Sequence, residues 1–194
     1  MRAVTIVLTG IFFLAFLASS ALSGSIGLKI SGPGAVNDST IKAGEKVSVD
    51  IYVANDKVFK GYSFGFKINS PTIKSIVHVA DSGNGINKRG DVKGHNGWED
   101  KSIWDFGGVF VAERDWDGKL PDTLGLGGLC IKKEYKPHEL SKVLSFELIV
   151  PEAGTLTIDS SFFPPGGSWM FSAPPPGPTE EPKWKGPYTY KVVK

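Results

Sequence analysis

Lys46-Val47-Ser48-Val49-Asp50-Ile51-Tyr52-Val53-Ala54 puts Val47, Val49, Ile51 and Val53 on one side of an extended chain and Ser48, Asp50 and Tyr52 on the other. Side chains alternate across a strand, so this spacing is that of a strand with one face in a core and one toward water. Ala43-Gly44-Glu45 turns the chain into it, and Asn55-Asp56 ends it. The same period returns in residues 59–68, where Tyr62, Phe64, Phe66 and Ile68 oppose Ser63, Gly65 and Lys67. Gly61 and Gly65 weaken that second strand and point to a bulge or a close neighbour. Residues 143–150 alternate again, with Leu144, Phe146, Leu148 and Val150 on one face and Val143, Ser145, Glu147 and Ile149 on the other.

Shorter strands are predicted over residues 26–31, 73–79, 102–111, 127–132 and 155–159, and a closing strand over 188–193. Pro151-Glu152-Ala153-Gly154 and Gly32-Pro33-Gly34 supply turns between them. No stretch sustains a helical period, and no internal repeat is found. About nine short strands punctuated by turn residues predict an all-β, jelly-roll or immunoglobulin-like sandwich. Two stretches interrupt the pattern. Residues 81–125 read as a long loop insertion, rich at first in Gly, Asn, Asp and Lys. Residues 163–187 read as a proline-rich loop crossing the surface, because Pro164-Pro165 and Pro174-Pro175-Pro176 fit neither a central strand nor a helix interior.

The chain begins with Arg2, an apolar core over residues 4–17, and small residues at Ala18, Ser19, Ser20, Ala21 and Ser23. This is the layout of a cleaved signal peptide over residues 1–23, followed by one sandwich domain over 24–194. The apolar run is nearly long enough to span a bilayer, but its distal small residues favour cleavage over anchoring. The expected product is secreted, extracellular or at the cell surface, with no stable membrane span after cleavage. A net charge of +2, with Arg2 inside the leader and the other lysines and arginines scattered, excludes a nucleic-acid stripe. Cys130 is the single cysteine, so no intrachain disulfide can form. It sits in an apolar run and reads as a small buried hydrophobe.

Two strand–turn units, Ala43-Gly44-Glu45-Lys46-Val47-Ser48-Val49-Asp50-Ile51-Tyr52-Val53 and Lys60-Gly61-Tyr62-Ser63-Phe64-Gly65-Phe66-Lys67-Ile68, are joined later by Leu144-Ser145-Phe146-Glu147-Leu148-Ile149-Val150 and Gly154-Thr155-Leu156-Thr157-Ile158. Their order resembles a cohesin, the nine-stranded jelly-roll module of extracellular scaffolds, and its relatives among carbohydrate-binding sandwiches. The resemblance covers about half of the chain after the leader. It implies a non-catalytic module that recognises an extracellular protein of the dockerin type.

The chemistry-bearing residues gather in residues 96–122. Asp115-Trp116-Asp117-Gly118-Lys119-Leu120-Pro121-Asp122 carries carboxylates at positions one, three and eight, with glycine after the second. Asp-x-Asp-Gly folds neighbouring carboxylates together, so Asp115, Asp117 and Asp122 are the candidate Ca²⁺ ligands, although the third ligand and closing glutamate of an EF-hand are missing. The other reading of the octet is a solvated hairpin turn. Trp98 and Trp116 are candidates for a sugar-stacking platform, with Asn96 and Asp100 as hydrogen-bonding partners. Trp104 reads as core, and Trp169 and Trp184 as covers for the end of the sandwich. His78, His95 and His138 are widely spaced, with neither metal-ligand spacing nor a nucleophile motif around them. The carboxylates of this region read as turn formers or ion ligands rather than a catalytic pair. The expected function is a secreted, non-enzymatic binding module for an extracellular protein or glycan. The alternative is a structural subunit that assembles with copies of itself in a surface layer or fibre.

Overall fold

The computed structural model describes residues 24–79, 92–100, 110–111, 115–161, 169–174, 176–177 and 179–194. The predicted leader and Trp104 lie outside them. Among the described residues there are fifteen strands and no helix, hence none long and apolar enough to cross a membrane. The strands are β1 (Ser25–Ser31), β2 (Ala35–Asn37), β3 (Thr40–Lys42), β4 (Lys46–Asn55), β5 (Gly61–Asn69), β6 (Val77–Val79), β7 (Val92–Gly94) and β8 (Phe110–Val111). They continue with β9 (Asp122–Leu129), β10 (His138–Ile149), β11 (Gly154–Ser160), β12 (Met170–Ser172), β13 (Thr179–Glu180), β14 (Lys183–Trp184) and β15 (Tyr188–Val193).

They form the two layers of a sandwich. One sheet runs β14-β1-β4-β10-β6, with β7 sharing the outer edge of β10. The other runs β13-β12-β5-β11-β15-β3-β2, with β9 and then β8 beyond β5. The alternating sequences explain the layering. Val47, Val49, Ile51 and Val53 of β4 and Leu144, Phe146 and Leu148 of β10 face inward, against Tyr62, Phe64, Phe66 and Ile68 of β5, and all are buried. Leu124, Leu126, Leu156, Ile158, Tyr190 and Val192 complete the second inner face. Sheets with one apolar face must bury it against each other, and these two do.

Four features depart from the sequence reading. Strand β10 carries an extra residue between Lys142, paired with Tyr52, and Leu144, paired with Ile51. A bulge of this kind breaks strict alternation, so Val143 is buried beside Leu144 rather than turned outward. The stretch read as a loop insertion over 81–125 contains β7, β8 and the start of β9. The strand expected over 127–132 begins earlier, at Asp122, because Gly125 and Gly127 pair with Gly65 and Ser63 of β5. The stretch read as a proline-rich loop holds β12, β13 and β14, short pieces fitted between prolines.

Gly65 marks a change of neighbour. Before it β5 pairs with β12, and after it with β11. Its carbonyl accepts from Ser161 N–H at 2.8 Å and from Trp169 Nε1–H at 2.9 Å. Trp169 is buried against Phe64, Phe66 and Trp184, and Trp184 donates to Asp159 at 2.8 Å. The two tryptophans thus close one side of the sandwich. Every described sheet edge ends in a strand of two or three residues, namely β14, β6, β7, β13, β2 and β8. Such short strands offer few free backbone groups to another chain, although β14 covers only residues 25 and 26 of β1.

Phe64 lies at the centre of the aromatic packing, touching Tyr62, Trp98, Trp169 and Phe171. Phe64→Ala is expected to cost about 3–5 kcal/mol of unfolding free energy. Exposed Val36→Ala is expected to cost less than about 0.5 kcal/mol. Urea unfolding of both variants checks the contrast.

Candidate functional site: two turns on the β9–β10 side

The first turn follows β7. His95 N–H donates to Val143 O at 2.8 Å, and Asn96 Nδ2 donates to Lys142 O at 2.7 Å, so the turn is pinned to the β10 bulge. Asn96 has φ 53°, a left-handed conformation that asparagine tolerates better than most residues. Gly97 follows at φ 89°, and the two reverse the chain so that Trp98 points into the core. Trp98 is 0% exposed. Its ring lies 4.4 Å from Tyr62, 5.4 Å from Tyr135 and 6.2 Å from Phe59, centroid to centroid. Tyr135 donates its hydroxyl to Asn96 O at 3.2 Å, and burial raises its pKa to about 12. Asp100 is exposed at the end of the turn.

The second turn joins β8 to β9 as a hairpin: Phe110 pairs with Gly127 and Asp115 bridges Thr123. Gly118 at φ 85° makes the reversal, and its carbonyl accepts from Ile76 N–H at 2.8 Å. Leu120 N–H donates to Lys74 O at 2.9 Å, which docks the turn on the approach to β6. Trp116, 4% exposed, packs edge-on against Phe146 at 5.5 Å and stacks on His78 at 3.7 Å.

Asp122 is wholly buried, and its carboxylate is well supplied with partners. Oδ2 accepts from Gly118 N–H at 2.9 Å and lies 2.7 Å from His78 Nε2, while Oδ1 accepts from Thr123 N–H at 3.0 Å. Asp117 is exposed, accepts from Lys119 N–H at 2.8 Å and pairs with its ammonium at 3.3 Å. That backbone hydrogen bond is the main cause holding the Asp117 carboxyl below its ordinary pKa. One oxygen each from Asp115, Asp117 and Asp122 lies within 4.8 Å of the others. The three candidate ligands therefore converge as the octet suggested, with two of them already engaged inside the turn.

The two tryptophans do not converge. Trp98 packs on Tyr62 and Phe64, near the start of β5, whereas the Trp116 turn leads into Asp122, which pairs with Ile68 at its far end. Neither ring shows a face to solvent, so neither can stack on a sugar without leaving the core. The stacking platform is corrected on that physical ground: each turn tucks its largest apolar side chain under itself. His78 escaped the sequence reading because its partner Asp122 is 44 positions away.

No protein-family model and no curated protein sequence matches this chain. Solved structures do. A chain of a type I cohesin–dockerin complex from Clostridium thermocellum superposes with a TM-score of 0.54 at 12% identity, covering 87% of this chain and 99% of that one. A type II cohesin domain from the cellulosome of Acetivibrio cellulolyticus gives 0.53 at 12% identity over 89% and 92%. The fold is cohesin-like. A second type I cohesin–dockerin complex from C. thermocellum gives 0.52 at 9% identity over 88% and 95%. The resemblance that the sequence showed over half of the chain thus extends, as a fold, to nearly all of the described cohesin-like sandwich.

His95, in the first turn, has its pKa lowered chiefly by burial and then by the Lys142 and Lys93 cations. Its Nε2 lies 2.8 Å from Ser145 Oγ. Below its ordinary value the unfolded chain binds the proton more readily than the native one. Its contribution to stability is therefore present above about pH 6.5 and is lost as pH falls through the lower folded pKa. Urea midpoints measured from about pH 7 down to about pH 5 are expected to fall more steeply for the native chain than for His95→Gln.

Proposed function

We propose that this chain is a non-catalytic recognition module of the cell exterior that binds a partner protein of the dockerin type across a sheet face. The cohesin-like fold carries the reading: two of the superposed structures are cohesin–dockerin complexes. A sandwich with short edges presents its faces, rather than its strand edges, to other molecules.

The β5–β9 face suits that role best. Its outward positions pair as Gly61 with Leu129, Ser63 with Gly127, Gly65 with Gly125 and Lys67 with Thr123. Glycine fills four of these eight positions. Gly61, Gly65 and Gly125 are buried, so the surface open to a partner is carried by Ser63, Lys67, Thr123, Gly127 and Leu129. Exposed Lys67 and Leu129 bound the strip at either end, and Ser63 and Gly127 are half-buried at its middle. The outward face of the other sheet is built differently. There Asp50 is tied to Ser31, Ser48 and Lys142 at 2.7–2.8 Å, and Lys29 lies 4.9 Å from the Tyr52 ring. Side chains satisfied by each other have less to offer a partner.

Calorimetric titration against a panel of type I and type II dockerins tests this. Binding is expected, with Ser63→Arg weakening it by a factor of ten or more, on the order of 1.4 kcal/mol, and Lys29→Ala leaving it unchanged. Failure to bind any dockerin, or loss of binding through Lys29→Ala alone, would contradict the proposal.

A second reading concerns Ca²⁺ at Asp115, Asp117 and Asp122, favoured by the convergence of their oxygens. A divalent cation would relieve the repulsion among three carboxylates and draw Asp117 away from Lys119. Its role is to stiffen the β8–β9 hairpin. Added Ca²⁺ is expected to raise the melting temperature of chelator-treated protein, because an ion that binds only the folded state stabilises it. Asp115→Asn should abolish the rise. An unchanged melting temperature would remove this reading without touching the first.

A further inference from the structure

At the end of β4 two neighbouring cavities share Gly24, Asn55 and Asp56. The larger, about 420 Å³, is walled by Gly24, Ser25, Ala54, Pro137 and the side chains around His138 and Glu139. The smaller, about 170 Å³, reaches toward Phe59 and Phe171. The larger volume falls within the range of small-ligand sites, roughly 300–1,000 Å³.

Its chemistry is one-sided. Asp56 and Glu139 are exposed carboxylates on its rim, and no lysine or arginine lines it among the described residues. Behind the rim, Asn55 is 5% exposed and spends both amide protons on backbone carbonyls, Lys57 O at 2.8 Å and Lys136 O at 3.1 Å. That fixes the amide orientation and leaves Oδ1 buried with no hydrogen-bond partner. His138 pairs across the sheet with Asn55. Its Nδ1 lies 2.7 Å from Glu139 O, closer than the 3.4 Å to Ser141 Oγ. A carbonyl only accepts, so Nδ1 carries the proton and Nε2 of the neutral ring is an acceptor. That atom too is buried and unpartnered. Two acceptors without donors, on residues paired across the sheet, stand behind a rim of two negative charges, and each carries the desolvation cost of an unmade hydrogen bond.

We propose that this cavity is a binding site for an alkylammonium group, presented as a lysine side chain by a partner protein. The ammonium brings three N–H donors and a positive charge to a place that offers acceptors and negative charge only. Ala54 and Pro137 give an apolar wall for the alkyl stem, as snorkelling lysines require. Asn55 Oδ1 and His138 Nε2 are closed to bulk water, so binding turns the half-buried His138 ring to bring Nε2 onto the donor.

The test is a titration of the purified full chain with n-butylammonium chloride at constant ionic strength, followed by the His138 ring signals in NMR. A Gly-Lys-Gly peptide and its Nε-acetylated form make the second arm. Saturable movement of the His138 signals is expected with n-butylammonium and Gly-Lys-Gly, and none with the acetylated peptide. Tighter binding of Gly-Lys-Gly than of the free amine would assign the site to a peptide-borne lysine, and the reverse order would overturn that source. The double variant Asp56→Asn, Glu139→Gln alters exposed groups only and should keep the fold while weakening binding by on the order of tenfold. His138→Phe keeps a ring in place and should weaken binding as well. No movement with any amine, or undiminished binding by the double variant, would overturn the proposal.

Discussion

Apolar burial between two sheets, with no covalent tie across it, is the constraint on which the rest of this chain depends. Cys130 is the single cysteine and lies buried, so no intrachain disulfide can form. A domain of this size can fold on its core alone, but the open sides of a sandwich must then be sealed by side chains. Trp169 and Trp184 seal one side, while Trp98 and Trp116 seal the side formed by β9 and β10. The turns that hold the last two are fastened by backbone hydrogen bonds to β10 and to the approach to β6. Loops that could have been free for recognition are spent on closure.

The framework was legible in the sequence because period-two alternation is a local property. Residues 46–54 and 59–68 report which side of each strand meets the core, and the structure places those residues accordingly. Val143 was misread because a bulge shifts alternation without leaving a residue that announces it. Asp122 with His78, Trp98 with Tyr62, and Asn55 with His138 could not be paired by inspection, since each couple joins segments far apart in the chain. Convergence of the three aspartates was readable because one hairpin turn brings them together. Burial of both tryptophans was not, because Trp-Asp-Gly composition looks the same whether the ring faces in or out. The predicted leader over residues 1–23 and Trp104 fall outside the described residues.

Function follows from what closure leaves exposed. Among the described residues, short edge strands and inward tryptophans leave the sheet faces and the cavity beside Asn55 as the surfaces the proposed binding would use. The β5–β9 face is poor in side chains, and the opposite face is rich in side chains already satisfied by each other. Under the proposed reading, the accessible positions of β5 and β9 on one layer and the acidic cavity at the end of the other would serve a protein ligand with an extended footprint.

Hydrogen exchange at the indole N–H groups of Trp98 and Trp116 tests this division of labour most directly. Rings that seal the core exchange only when the sandwich opens, with protection approaching that of the slowest amides of β4 and β10. Exchange at the rate of a free indole, with the strand amides still protected, would show that the rings face solvent and would contradict their role as seals.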